Sequence, residues 1–141
     1  MNLIDKIYSL LFGYSEKDYK SEQPSIKEET VKSDFFDKIY NNYRSSMQGN
    51  IKSMQNLITS INDNLQKFSE LGYCGLSVKL YANNSETIPT TVFEVLKRYY
   101  KNQGFEVLKG HNFIKIYWVQ LEDIDYNYYN SSIAKIDIQY N

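Results

Sequence analysis

Ten apolar residues, Phe36, Tyr40, Tyr43, Met47, Ile51, Met54, Ile58, Ile61, Leu65 and Phe68, recur at steps of four and three that alternate except for one extra four. A period near 3.5 places them on one stripe of a helix, the pattern of a coiled-coil seam with a stutter. The extra step joins Met47 to Ile51 and brackets Gly49. A glycine in a helix interior costs about 1 kcal/mol, so one continuous helix and two shorter helices meeting at Gly49 both satisfy the pattern. Unbroken from Ser33 to Leu71, the helix would extend about 58 Å at roughly 1.5 Å per residue. A compact domain of this chain length is only about 37 Å across. The overhang leads to the expectation that Ile51, Met54, Ile58, Ile61, Leu65 and Phe68 form an oligomer seam covered by a second copy. A bend at Gly49 that folds the helix back onto a sheet is the competing arrangement.

The other elements are shorter. Leu3, Ile4, Ile7, Leu10 and Leu11 share one helical face that ends at Gly13, giving an amphipathic N-terminal helix over residues 1–13. Residues 14–32 are mostly polar or charged and read as a tether. Gly72 caps the long helix. Leu76, Val78 and Leu80 then alternate with Ser77, Lys79 and Tyr81 as a half-buried strand. Thr91 and Glu94 have the spacing of a capping box that opens a second helix, with Val92, Val95, Leu96 and Tyr99 facing inward and Gly104 at its end. Phe105 to Leu108 and Phe113 to Val119 read as a hairpin, and Ala134, Ile136 and Ile138 alternate with Lys135, Asp137 and Gln139 in a last strand. The fold class is therefore α+β: two layers, with an about four-stranded, mostly antiparallel sheet and both helices on one face, in a single domain over 33–141. Strand order does not follow from alternation.

The unit from Val92-Phe93-Glu94-Val95-Leu96 through Gly104-Phe105-Glu106-Val107 to Phe113-Ile114-Lys115-Ile116-Tyr117-Trp118 resembles a helix-hairpin unit ending in Ile-x-Trp. Small uncharacterised α+β proteins of phages and large DNA viruses carry similar units. The resemblance is one of fold and implies a viral or phage origin but no activity. The abundance of Asn, Ile and Tyr and the scarcity of Arg fit an AT-rich genome.

Chemistry is sparsely represented. One cysteine, Cys74, excludes an internal disulfide, a CxxC pair and a cysteine-based zinc site; a small buried hydrophobe is its expected role. One histidine, His111, falls in the hairpin turn, where exposure is expected. No glycine pattern suited to cradling phosphate is present. Asp123 to Asn127 imitates the first half of a calcium loop, but Tyr128 and Ala134 stand where the geometry demands glycine and a bidentate glutamate. Neither a catalytic set, a metal site nor a cofactor is expected.

Sixteen basic and seventeen acidic residues give a net charge of -1, which supplies no global attraction to nucleic acid or to acidic membranes. The longest apolar run, Ile116 to Val119, is far short of the roughly eighteen residues that a membrane span requires. The first residues lack the pattern of a secretion signal. The expected location is the host cytoplasm, or a virion.

These features point to a non-enzymatic, self-associating interaction protein, a virion component or an inhibitor of a host system. It would dock a protein partner through Ile4, Ile7 and Leu11 or through Tyr126, Tyr128 and Tyr129, since tyrosine is favoured at interfaces. The alternative is a small-ligand or nucleic-acid module in which Lys97, Arg98 and Lys101 hold an anion beside the Tyr100 ring.

Overall fold

A computed structural model describes residues 2–13, 32–82, 88–119 and 132–140. The elements are α1 (Leu3–Phe12), α2 (Asp34–Glu70), β1 (Gly75–Ala82), α3 (Thr90–Lys101), β2 (Glu106–Lys109), β3 (Phe113–Tyr117) and β4 (Ile133–Tyr140). They form an α+β fold with two compact units, residues 1–55 and 56–141, and α2 contributes to both. No helix among the described residues is long and apolar enough to cross a membrane.

In the first unit α1 is framed by its caps. The Asn2 side chain accepts a hydrogen bond from the Asp5 amide at 2.8 Å, which satisfies one orphan donor of the first turn. Ser33 does the same for α2, its hydroxyl accepting from the Phe36 amide at 3.1 Å. The Phe12 ring meets Tyr43 edge-on at 6.1 Å, so α1 lies beside the opening turns of α2. Ile7, Tyr8, Met47, Ile51 and Met54 are all buried.

The second unit is a sheet with the order β2-β3-β1-β4. β1 runs antiparallel to β3 and parallel to β4, and β2 runs antiparallel to β3. The sheet is therefore mostly antiparallel, and the connection through α3 steps over β3. Leu76, Val78, Leu80, Val107, Ile114, Ile116 and Ala134 bury the face toward the helices, with Val92, Phe93, Val95, Leu96 and Tyr100 from α3 and Leu57, Ile58, Ile61 and Leu65 from α2. α3 lies over β2 and β3.

Two expectations require correction. The seam does not form a coiled coil: Ile51, Met54, Ile58, Ile61 and Leu65 are 7, 0, 0, 0 and 8% exposed in the single chain. They belong to its own core, and only Phe68 stays half-exposed. The overhang argument allowed the helix no cover but one small sheet, whereas α1 lies against its opening turns. The Thr91–Glu94 capping box is also absent. α3 begins at Thr90 with Pro89 as its cap residue and no side-chain cap bond, so Thr91 is already inside the helix, and Glu94 pairs with Lys109 on β2 instead.

The helix boundary at Gly72 is as expected and can be traced atom by atom. Gly72 has φ 90°, in the left-handed region. Its amide donates to the Ser69 carbonyl at 3.1 Å and the Tyr73 amide to the Phe68 carbonyl at 3.0 Å, the two bonds of a Schellman motif. The apolar contact that accompanies this motif is the edge-on Phe68–Tyr73 pair, 5.4 Å between centroids. The Trp118 indole N–H then donates to the Tyr73 carbonyl at 2.7 Å, tying the turn to the end of β3.

α2 runs through Gly49 without interruption. Gly49 is exposed, and a Cβ built there meets nothing within 4 Å. Gly49→Ala is expected to stabilise the protein by about 0.5–1 kcal/mol by removing backbone freedom from the unfolded chain. Thermal unfolding should register this as an increase in Tm of a few degrees.

Candidate functional site

No three His, Cys, Asp or Glu side chains among the described residues gather closely enough to hold a metal ion. His111 is exposed at the β2–β3 turn, while Cys74 is a buried free thiol packed with Tyr117 and Ile133. These two groups belong to different surroundings and face no common site.

The cationic face of α3 exists in part. Arg98 and Lys101 are exposed and Lys97 is half-buried. The aromatic ring expected beside them is missing: Tyr100 is fully buried and its hydroxyl donates to the Asn62 side-chain oxygen at 2.8 Å, with the Ile58 carbonyl 3.5 Å away. Its ring stands edge-on to Tyr99 and Phe105 at 4.9 and 5.9 Å. Glu94 on the same helix is held below its ordinary pKa, first by the hydrogen bond from Lys109 and then by the charges of Lys109, Lys97 and Arg98. A carboxylate among the cations lowers their attraction for an anion.

Of the residues expected to dock a partner, Ile7 is fully buried within the chain, and Ile4 and Leu11 are half-buried. Tyr126, Tyr128 and Tyr129 and the acidic segment from Asp123 to Asn127 lie outside the described residues.

Two surfaces were not foreseen. The first is at the start of α2, where Phe35, Phe36 and Ile39 are 71, 42 and 49% exposed. At 100° per residue, Phe35, Ile39, Tyr43, Phe36 and Tyr40 span roughly 140° of the helix circumference. The Phe36 and Tyr40 rings stack with an interplanar angle of 6°, Lys32 caps the Phe36 ring at 4.6 Å and Arg44 the Tyr40 ring at 5.7 Å. Two large apolar residues just off the seam, Phe35 and Ile39, were the available signal.

The second surface is the sheet face turned away from the buried one. Lys79, Tyr81, Leu108, Lys135 and Asp137 are exposed there, and Ser77, Phe113 and Lys115 are half-buried. The register sets Lys79 between Phe113 and Asp137, and Ser77 between Lys115 and Lys135. One end of this face is closed by the Tyr117 ring over Gly75, where a Cβ would fall 2.6 Å from the ring. A side chain at position 75 would displace that ring, so glycine is required for the close approach.

Compared with family models, curated proteins and solved structures, the chain matches none.

The buried tyrosines make stability sensitive to alkali. Burial pushes the Tyr140 pKa up to about 12 and raises that of Tyr100 further. The folded state therefore holds its phenolic protons where the unfolded chain, titrating near 10, releases them. Stability from these groups is fully present below pH ~10 and is lost as pH rises above it. Thermal melts should be level between pH 7 and 9 with respect to these groups and fall steeply beyond about pH 10. Tyr100→Phe removes one hydrogen bond and leaves exposed Asn62 to water, at an expected cost of about 1 kcal/mol; Tyr100→Ala empties the core and should cost about 3–5 kcal/mol.

Proposed function

We propose that the chain is a non-enzymatic interaction protein that binds a protein partner by seating the first turns of α2 in an apolar groove. The observation that carries this reading is the exposure of Phe35, Phe36 and Ile39 together, at 71, 42 and 49%. Leaving such side chains in water forfeits about 1.5–3 kcal/mol each, and a contiguous helical stripe of them is the element that helix-in-groove recognition uses. The charges beside the stripe are balanced, Asp34 and Asp37 against Lys32 and Lys38. An anionic ligand would find no preference here, whereas an apolar protein groove with a mixed rim would.

The alternative, anion or nucleic-acid binding on α3, is weakened by the burial of Tyr100 and by Glu94 among the cations. The exposed His111 and buried Cys74 give an enzyme no paired groups.

A photo-crosslinking residue placed at position 35, with one at position 66 on the same helix as control, tests the reading in cells that express the protein. Position 66 carries exposed Gln66. The expected result is a protein adduct that forms from position 35 alone and is lost when Phe36 and Ile39 are both changed to Ser. Equal adducts from both positions, or adducts that survive the double substitution, would contradict it.

A further inference from the structure

The sheet has two edges, and they are unlike. β2 is four residues long and lies under α3. β4 is eight residues long, and among the described residues it pairs on one side only, with β1. An edge strand of that length presents a row of backbone donors and acceptors to any strand that can align with it.

Two features of β4 state what would align. On its helix-side face, Ile136 and Ile138 are half-buried, although their neighbours in register, Val78 and Leu80, are buried. The apolar layer thus thins at this strand and leaves the two isoleucines partly uncovered. On the opposite face Lys135 and Asp137 are both exposed, with no ion pair between them and any described residue. They carry opposite charges two positions apart, so both point the same way from the strand.

We propose that β4 pairs antiparallel with β4 of a second copy about a two-fold axis at Ile136, joining two sheets into one of eight strands. An antiparallel two-fold pair places residue i opposite residue j with a constant sum, and a centre on any residue keeps side chains on matching faces. Centred on Ile136, the pairing sets Lys135 opposite Asp137 of the second copy and Asp137 opposite its Lys135. On the other face Ile136 meets Ile136, and Ala134 meets Ile138. A centre at Lys135 brings two lysines face to face, and a centre at Asp137 brings two aspartates together. Direct cross-strand pairs of opposite charge stabilise and like charges destabilise, so of these three central registers the sequence of the strand favours the one at Ile136. A lone edge lysine would repel its own copy; this self-complementary pair attracts it. The inference is independent of the α2 stripe.

Analytical ultracentrifugation of the full chain from micromolar to near-millimolar concentration tests it with three proteins. The natural chain is expected to form dimers. Asp137→Lys places lysine against lysine at both symmetric positions and should weaken dimerisation at least about tenfold. Adding Lys135→Asp restores opposite charges in the same register and should bring the dimer back to within about threefold of the natural affinity. Both sites are exposed, so unchanged melting of dilute samples will confirm that folding is intact. A chain that stays monomeric throughout, a dimer indifferent to Asp137→Lys, or a double variant that fails to recover would each overturn the proposal.

Discussion

Tyr100 is the point at which the second unit is locked. Its ring is fully buried on α3, and its hydroxyl reaches Asn62 on α2. A buried hydroxyl without a partner would cost about 1–3 kcal/mol, so this bond fixes both the rotation of α3 and the position of α2 along it. Glu94 and Lys109 pin the other side of α3 to β2, and the Schellman turn at Gly72 delivers the chain into β1, between β3 and β4 in the sheet. The close contact of Tyr117 with Gly75 and the Trp118 bond to Tyr73 then hold β3 against the start of β1.

Much of the fold was legible because periodicity is a local property. Alternation placed β1, β3 and β4, and the stripe of apolar residues placed α2 and its end at Gly72. What it could not convey is the identity of the covering surface. The same spacing from Ile51 to Leu65 serves a coiled coil or a helix buried by its own chain, and the second is what the burial of Ile58 and Ile61 shows. Strand order was illegible for the same reason, since the alternation of Ala134, Ile136 and Ile138 says nothing about which strand lies beside them. On α3 the inward stripe was read correctly at Val92, Val95 and Leu96, all buried, but it was closed with Tyr99, which is only half-buried, instead of Tyr100. Phe93 and Tyr100 are buried, and the row Val92, Leu96, Tyr100 at steps of four carries the core. Tyrosine is compatible with either side of a helix, so Lys101 beside it drew the ring outward in the reading.

The candidate surfaces were harder to read than the core. Buried residues are selected jointly by period and apolarity, two signals that reinforce one another. Exposed functional residues have no period of their own: Phe35 and Ile39 stand out only once the seam is assigned to the core, and the charges on β4 matter only once the strand is known to be an edge. Among the described residues, the surfaces left after folding include an apolar stripe on α2 and a β4 edge that pairs on one side only.

The central claim is that the α2 seam is covered by its own chain. It is tested most directly by changing Ile58 and Ile61, both 0% exposed, together to Asp and following near-ultraviolet circular dichroism alongside sedimentation. Two unpaired carboxylates in the core would cost several kcal/mol each, comparable with the whole stability of a domain of about 5–15 kcal/mol. The account predicts that ordered tertiary structure is lost at every protein concentration. A well-folded monomer with the native aromatic signal would contradict it, because it would show that the fold does not depend on burying the seam.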